Sequence, residues 1–122
     1  MEMETRQETG RRGEDIAADF LCRKGYEILC RNFRHKIGEI DIIARKANRP
    51  ETIVVCEVKA RKTLAYGCPG EAVNREKRER IKRAASLYAA VNNLLAQDFR
   101  ADVIEILFLK EKIYIRHIEN AF

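Results

Sequence analysis

The chain's apolar residues follow two rhythms. From Gly10 to about Lys24, Ile16, Ala17, Phe20 and Leu21 return at three- and four-residue intervals, which predicts a helix, and Gly25 stops it. Short β-rich runs follow. Tyr26 to Phe33 predicts a strand, Arg34-His35-Lys36 a basic turn, and Gly38 to Arg45 a second strand. Lys46 to Glu51, with Asn48 and Pro50, predicts a turn, and Thr52 to Ala60 a third strand. A loop over Arg61 to Gly70 leads to a long helix from Glu71 to about Ala96. In it Val73, Lys77, Ile81, Ala84, Tyr88, Val91 and Leu95 step along one side. Ala101 to Leu109 and Lys112 to Ile118 complete the pattern as two strands around Lys110-Glu111. The order α-β-β-β-α-β-β predicts an α/β sandwich with a mixed sheet, and the crossover helix allows strands three and four to run parallel. Residues 1–9 carry no such pattern and read as a flexible N-terminus before one domain over 10–122.

Composition narrows the class. At 122 residues the chain holds one domain, and 46% hydrophobic with 35% charged residues excludes a disordered tail. No apolar run approaches the roughly 20 residues of a membrane span, and the polar, mixed-charge start does not read as a signal peptide. Lys and Arg total 24 against 19 Asp and Glu, a net charge of +5, which favours polyanionic partners such as nucleic acid. The cysteines, Cys22, Cys30, Cys56 and Cys68, lack zinc-finger spacing and read as reduced thiols of a cytoplasmic protein. The first three fall in apolar patterns, as small core residues do.

Candidate chemistry lies in the second and third strands. Strand residues alternate faces, so Val54, Cys56, Val58 and Ala60 point one way and Ile53, Val55, Glu57 and Lys59 the other. In strand two, Ile40, Ile42 and Ala44 share a face, opposite Glu39, Asp41 and Ile43. A short turn makes the two strands an antiparallel hairpin. A loop centred on Arg49 without a bulge sets Asp41 opposite Glu57 and Glu39 opposite Lys59. Opposed carboxylates repel, and Mg²⁺, which takes one or two carboxylates and keeps several waters, would relieve them. The Val58 carbonyl would add a ligand, and Glu14 a third carboxylate if the first helix packs across the hairpin. Lys59 would orient water and steady a phosphorane-like transition state. Without a metal, Glu57 and Lys59 would be a surface pair worth about 0–1 kcal/mol.

A resemblance sharpens these alternatives. Gly13-Glu14 with Ala17 and Leu21, Gly25-Tyr26, Arg31-Asn32-Phe33-Arg34, Gly38-Glu39-Ile40-Asp41-Ile42-Ile43-Ala44, Glu57-Val58-Lys59-Ala60-Arg61, Tyr66-Gly67 and the closing Ile118-Glu119-Asn120-Ala121-Phe122 resemble the bacterial YraN-like family. That resemblance covers nearly the whole chain from Gly10. It implies the restriction-endonuclease-like (PD-(D/E)xK) fold and a likeness to Holliday-junction resolvases. It implies Glu14, Asp41 and Glu57 as acids holding Mg²⁺ or Mn²⁺ and Lys59 as the catalytic lysine, with Lys77 where related nucleases carry a Gln or Lys. Ile40 stands where the motif has Pro, at no cost in ligands.

The expected activity is metal-dependent hydrolysis of branched or structured DNA. Two symmetric cuts of a junction would imply a homodimer. The alternatives are a nucleic-acid-binding module without catalysis and a structural partner in a DNA-processing assembly. Arg31, Arg34, Lys36, Arg61, Lys62 and Lys77 are the expected phosphate contacts. Tyr66 reads first as a packed loop aromatic, with stacking on a base or capping of the site as the alternative, whereas Asp102 and His117 read as structural.

Overall fold

Thr5 begins the first helix earlier than the apolar pattern does. In the computed structural model, which describes residues 4–62 and 74–122, α1 spans Arg6–Arg23. The Thr5 hydroxyl accepts the Glu8 backbone N–H at 3.1 Å, satisfying an otherwise orphaned donor of the first turn. Gly25, at φ +91°, turns the chain into β1 (Tyr26–His35). β2 (Gly38–Lys46), β3 (Arg49–Arg61), α2 (Arg75–Val91), β4 (Asp98–Leu109) and β5 (Lys112–Ile118) follow in the predicted order. The sheet runs β1-β2-β3-β4-β5. Only β3 and β4 pair in parallel, joined through the α2 crossover. This α/β arrangement is consistent with a restriction-endonuclease-like fold. No helix among the described residues is long and apolar enough to cross a membrane.

Each helix covers one face of the sheet. Ala17, Ala18 and Leu21 of α1 bury against Ile42, Ala44, Val54, Cys56, Ile104 and Ile106. Ile81, Ala84, Ala85 and Tyr88 of α2 bury against Ile40, Ile43, Ile53, Val55 and Val103. Two glycines let the helices approach. A Cβ on Gly13 would collide with the Ala60 side chain, and one on Gly38 with the Arg80 carbonyl. Gly13 therefore seats α1 directly on β3, one residue before Glu14.

Several expectations are corrected. α2 ends at Val91, because Asn92 caps it and Asn93 adopts a left-handed φ of 57°. Val91 and Leu95 are consequently 65% and 73% exposed rather than inward. The β2–β3 loop is shorter than expected, since β3 already begins at Arg49. A register shift between Arg45 and Lys46 then restores the pairing of Ile42 with Cys56. The hairpin register was thus right from Arg45 to Ile42, whereas the absence of a bulge was not, and the ladder stops before the expected pairs of Asp41 with Glu57 and Glu39 with Lys59. Cys22 is exposed, while Cys56 is buried and Cys30 half-buried. Cys68, Tyr66 and Val73 lie outside the described residues.

Candidate active site

The strand alternation read from sequence holds in β3 and breaks in β2. Val54, Cys56, Val58 and Ala60 face α1, and Ile53 and Val55 face α2, as expected. Ile40, however, joins the α2-side core, while Ile42 and Ala44 face α1. The slip occurs at Asp41. β1 slips beside it: Arg31 pairs with Ile42 and Phe33 with Ile40, and Asn32 between them has a left-handed φ of 54°. Asparagine is among the few non-glycine residues that enter this region readily. Both strands therefore twist at one level, and the β2–β3 ladder has its last pair at Ile42 and Cys56.

Asp41 occupies the resulting splay. Its Oδ2 accepts the Val58 backbone N–H at 2.8 Å, so a side chain takes over where the ladder stops. Burial, and then the Glu57 carboxylate, raise the Asp41 pKa to about 7, against the pull of the Val58 hydrogen bond; Glu14 adds to the rise. Glu57 is itself buried, 6% exposed. Lys59 Nζ lies 3.3 Å from Glu57 Oε1, and Lys77 of α2 grips the same oxygen. Burial and its contact with Lys77 lower the Lys59 pKa despite Glu57. Burial also works against the charged Lys77, but its hydrogen bond to Glu57 reverses the balance and raises its pKa.

Glu14 stands close by but is already engaged. Its Oε1 accepts from Arg31 Nε at 3.3 Å, Arg31 Nη2 at 3.2 Å and Asn32 Nδ2 at 2.8 Å. Arg31 Nη2 also donates to Asp15 at 2.6 Å. A cleft of about 330 Å³ opens here, lined by Arg11, Glu14, Asn32, Arg34, Asp41 and Val58 among others. Among the described residues no three His, Cys, Asp or Glu gather into a metal-binding cluster. The donor set nevertheless suits Mg²⁺, which needs only one or two carboxylates beside water and substrate oxygens. Asp41 and Glu57, which also share a side-chain hydrogen bond, supply these.

The expected phosphate contacts divide. Arg31 is committed to Glu14 and Asp15, and Lys77 to Glu57. Lys62 lies 3.4 Å from Glu4. Arg34, 73% exposed, meets Glu39 only at 4.0 Å, and Lys36 is exposed in the β1–β2 turn. Arg61 is half-buried at the end of β3.

Asn32 is the site residue that reasoning on single positions missed. It stood inside the Arg31-Asn32-Phe33-Arg34 motif, and asparagine within a strand was the available signal of a backbone twist. Asp102 and His117 are structural, as read. Asp102 is fully buried and accepts from Arg100, from the Asn120 N–H at 2.9 Å, and pairs with His117 Nε2 at 2.7 Å. Burial opposes its charge, but these partners together hold its pKa below the usual value.

Comparison with known sequences places relatives beside this geometry. The profile of the uncharacterised protein family UPF0102 matches residues 13–106, a span holding Glu14, Asp41, Glu57, Lys59 and Lys77. A UPF0102 protein of Alkaliphilus metalliredigens is 47% identical over 113 residues, covering 93% of this chain and 96% of the relative. One from Caldanaerobacter subterraneus subsp. tengcongensis is 42% identical over 125 residues and covers 100% of both. One from Clostridium botulinum is 46% identical over 121 residues, covering 95% and 94%.

Proposed function

The chain belongs to the uncharacterised protein family UPF0102, and on that footing we propose that it is a Mg²⁺- or Mn²⁺-dependent nuclease acting on branched or structured DNA. One observation carries the reading. Asp41 and Glu57 are held together at the splayed end of β2 and β3, with Lys59 beside them on the same strand. A buried acid pair weakens the fold unless something else uses it. A bound divalent ion would neutralise the pair and polarise a phosphodiester oxygen.

The chain's own residues would do the rest. Asp41 and Glu57 would hold the ion, with the Val58 carbonyl as a further donor. The hydrogen bond from the Val58 N–H fixes the Asp41 carboxylate so that no reorganisation is needed when substrate arrives. Lys59, half-buried and with a lowered pKa, would orient the attacking water and accept hydrogen-bonding from it when neutral. Lys77 holds Glu57 in place from α2. Glu14 fixes Asn32 in the wall of the cleft, binds Arg31 and adds negative charge near Asp41. Arg34 and Lys36 at the rim would meet phosphates.

The test is incubation of purified protein with a labelled four-way DNA junction and matched linear duplex, with Mg²⁺ or Mn²⁺. Asp41→Ala runs alongside to expose contaminating nuclease. Cleavage by the wild type alone supports the reading, and preference for the junction supports the branched substrate. Binding without cutting in both metals favours a non-catalytic nucleic-acid-binding module or a partner in a larger assembly.

A further inference from the structure

Past Glu57, no helix among the described residues covers the α2-side face of the sheet. α2 packs on β1 and β2, and Val103 and Ile118 are where β4 and β5 last join its core. Two further rows of side chains continue on the same face. The register sets Lys59, Glu105 and Arg116 side by side, and beyond them Arg61, Leu107 and Tyr114. Successive rows are about 7 Å apart along the strands, and each spans about 10 Å from β3 to β5. Lys112, opposite Leu109, extends the face by another step. Arg116, Lys112 and Tyr114 are exposed, Tyr114 by 51%.

Charge on this face is lopsided. Arg61, Lys112 and Arg116 surround one acid, Glu105, while Lys59 beside it is paired with Glu57. Arg116 and Arg61 both act on Glu105 by charge, yet burial still raises its pKa. Its Oε1 is buried and has no hydrogen-bond partner among the described residues. Glu105 thus lies between two guanidinium groups as a counter-charge beneath them, leaving the face cationic. Guanidinium groups bind phosphate through paired N–H donors, and an exposed tyrosine offers a base a stacking surface.

The geometry points to this face, built from Lys59, Arg61, Arg116 and Tyr114 around Glu105, as the track along which a nucleic-acid strand leaves the candidate cleavage centre. The inference rests on the proposed nuclease reading and adds to it a direction of approach and two β5 contacts, Tyr114 and Arg116. Self-pairing of β5 with a second copy suits the strand less well. An antiparallel register centred on Tyr114 sets Lys112 against Arg116. Registers centred on Ile115 or Ile113 bring like charges together at the strand's ends, Glu111 with Glu119 and Lys110 with Arg116, where β5 gives way to turns. Like charges directly opposite destabilise a strand pair.

The experiment is fluorescence anisotropy with a labelled four-way junction in EDTA at several salt concentrations, on the full chain. Wild type is compared with Arg116→Glu, Arg116→Gln, Tyr114→Ala and Arg83→Glu, the last on the exposed side of α2. Circular dichroism checks folding of each. Arg116→Glu and Tyr114→Ala are each expected to weaken binding about tenfold, with Arg83→Glu near wild type. The Arg116→Gln variant should lower the slope of log affinity against log salt by about one. Wild-type binding that Arg116→Gln and Tyr114→Ala leave unchanged overturns the track alone. Equal losses from Arg83→Glu and Arg116→Glu overturn it too, since binding would then follow net charge. A β5 variant that changes only the oligomeric state, measured by light scattering, assigns the face to a second copy instead. Absence of wild-type binding to any nucleic acid overturns the proposed function and the track together.

Discussion

Replacing Asp41 by Asn tests whether the acid pair weakens the fold. Asn keeps the shape of the side chain and an oxygen to accept the Val58 N–H, but removes the charge that burial and Glu57 oppose. The folded-state pKa is raised from 3.8 to about 7, so the native protein binds this proton more tightly than the unfolded chain. The stability this provides is present below the unfolded value and is lost as pH rises through the folded one. A shift of that size corresponds to ~4 kcal/mol in all, of which roughly 2–3 kcal/mol should disappear between pH 5 and pH 8. The chain has no tryptophan, so urea unfolding is best followed by far-ultraviolet circular dichroism. Between those pH values the wild type should lose roughly 2–3 kcal/mol more than Asp41→Asn. At pH 8, Mg²⁺ should restore stability to the wild type and leave the variant unmoved. Identical pH dependence in both proteins would refute the reasoning, because Asp41 would then titrate alike in the folded and unfolded chains.

Other changes separate the roles of neighbouring residues. Lys59→Ala should abolish metal-dependent cleavage, by on the order of 100-fold or more, while junction binding measured in EDTA persists and weakens less than in Arg116→Glu. Glu14→Gln should leave Arg31 and Asn32 less firmly held and lower stability by about 1–3 kcal/mol, read as a lower urea midpoint, with a smaller loss of cleavage than Asp41→Ala. Asp102→Ala should cost about 3–5 kcal/mol, because the buried His117 ring, half-buried Arg100 and the Asn120 N–H all lose the carboxylate they share; a thermal melt reads it, and an unchanged midpoint would remove Asp102 from the structural core. Gly13→Ala should destabilise by about 1–3 kcal/mol, since its new methyl group meets Ala60 and α1 must lift from β3.

Much of the site was legible because strands impose a rule on neighbours. In β3, the period of two placed Glu57 and Lys59 on one face and Val58 and Ala60 on the other, and the uninterrupted strand kept that order. The hairpin placed Asp41 near Glu57 by the same rule. The rule failed in β2, where Ile40 turned to the α2 side, because it assumes an untwisted strand and Asn32 and Asp41 slip together. Helix ends were legible where a residue forces them, as Gly25 does. They were misread at Val91, where the apolar spacing continued past the capping asparagines into exposed chain.

By itself, the sequence determined the order of elements, the strand faces outside the twist, and the residue types that meet at the centre. These follow from local periodicity and from the few backbone conformations each residue tolerates. Only the tertiary structure decided which partners those residues take. It gave Glu14 to Arg31 and Asn32, Glu57 to Lys77, and Asp41 to the Val58 N–H. It also set Tyr114 and Arg116 on the same face of the sheet as Lys59. Such pairings join residues far apart in the chain, and their strength depends on burial and distance. Both are set only when helices and strands pack, so no local pattern carries them.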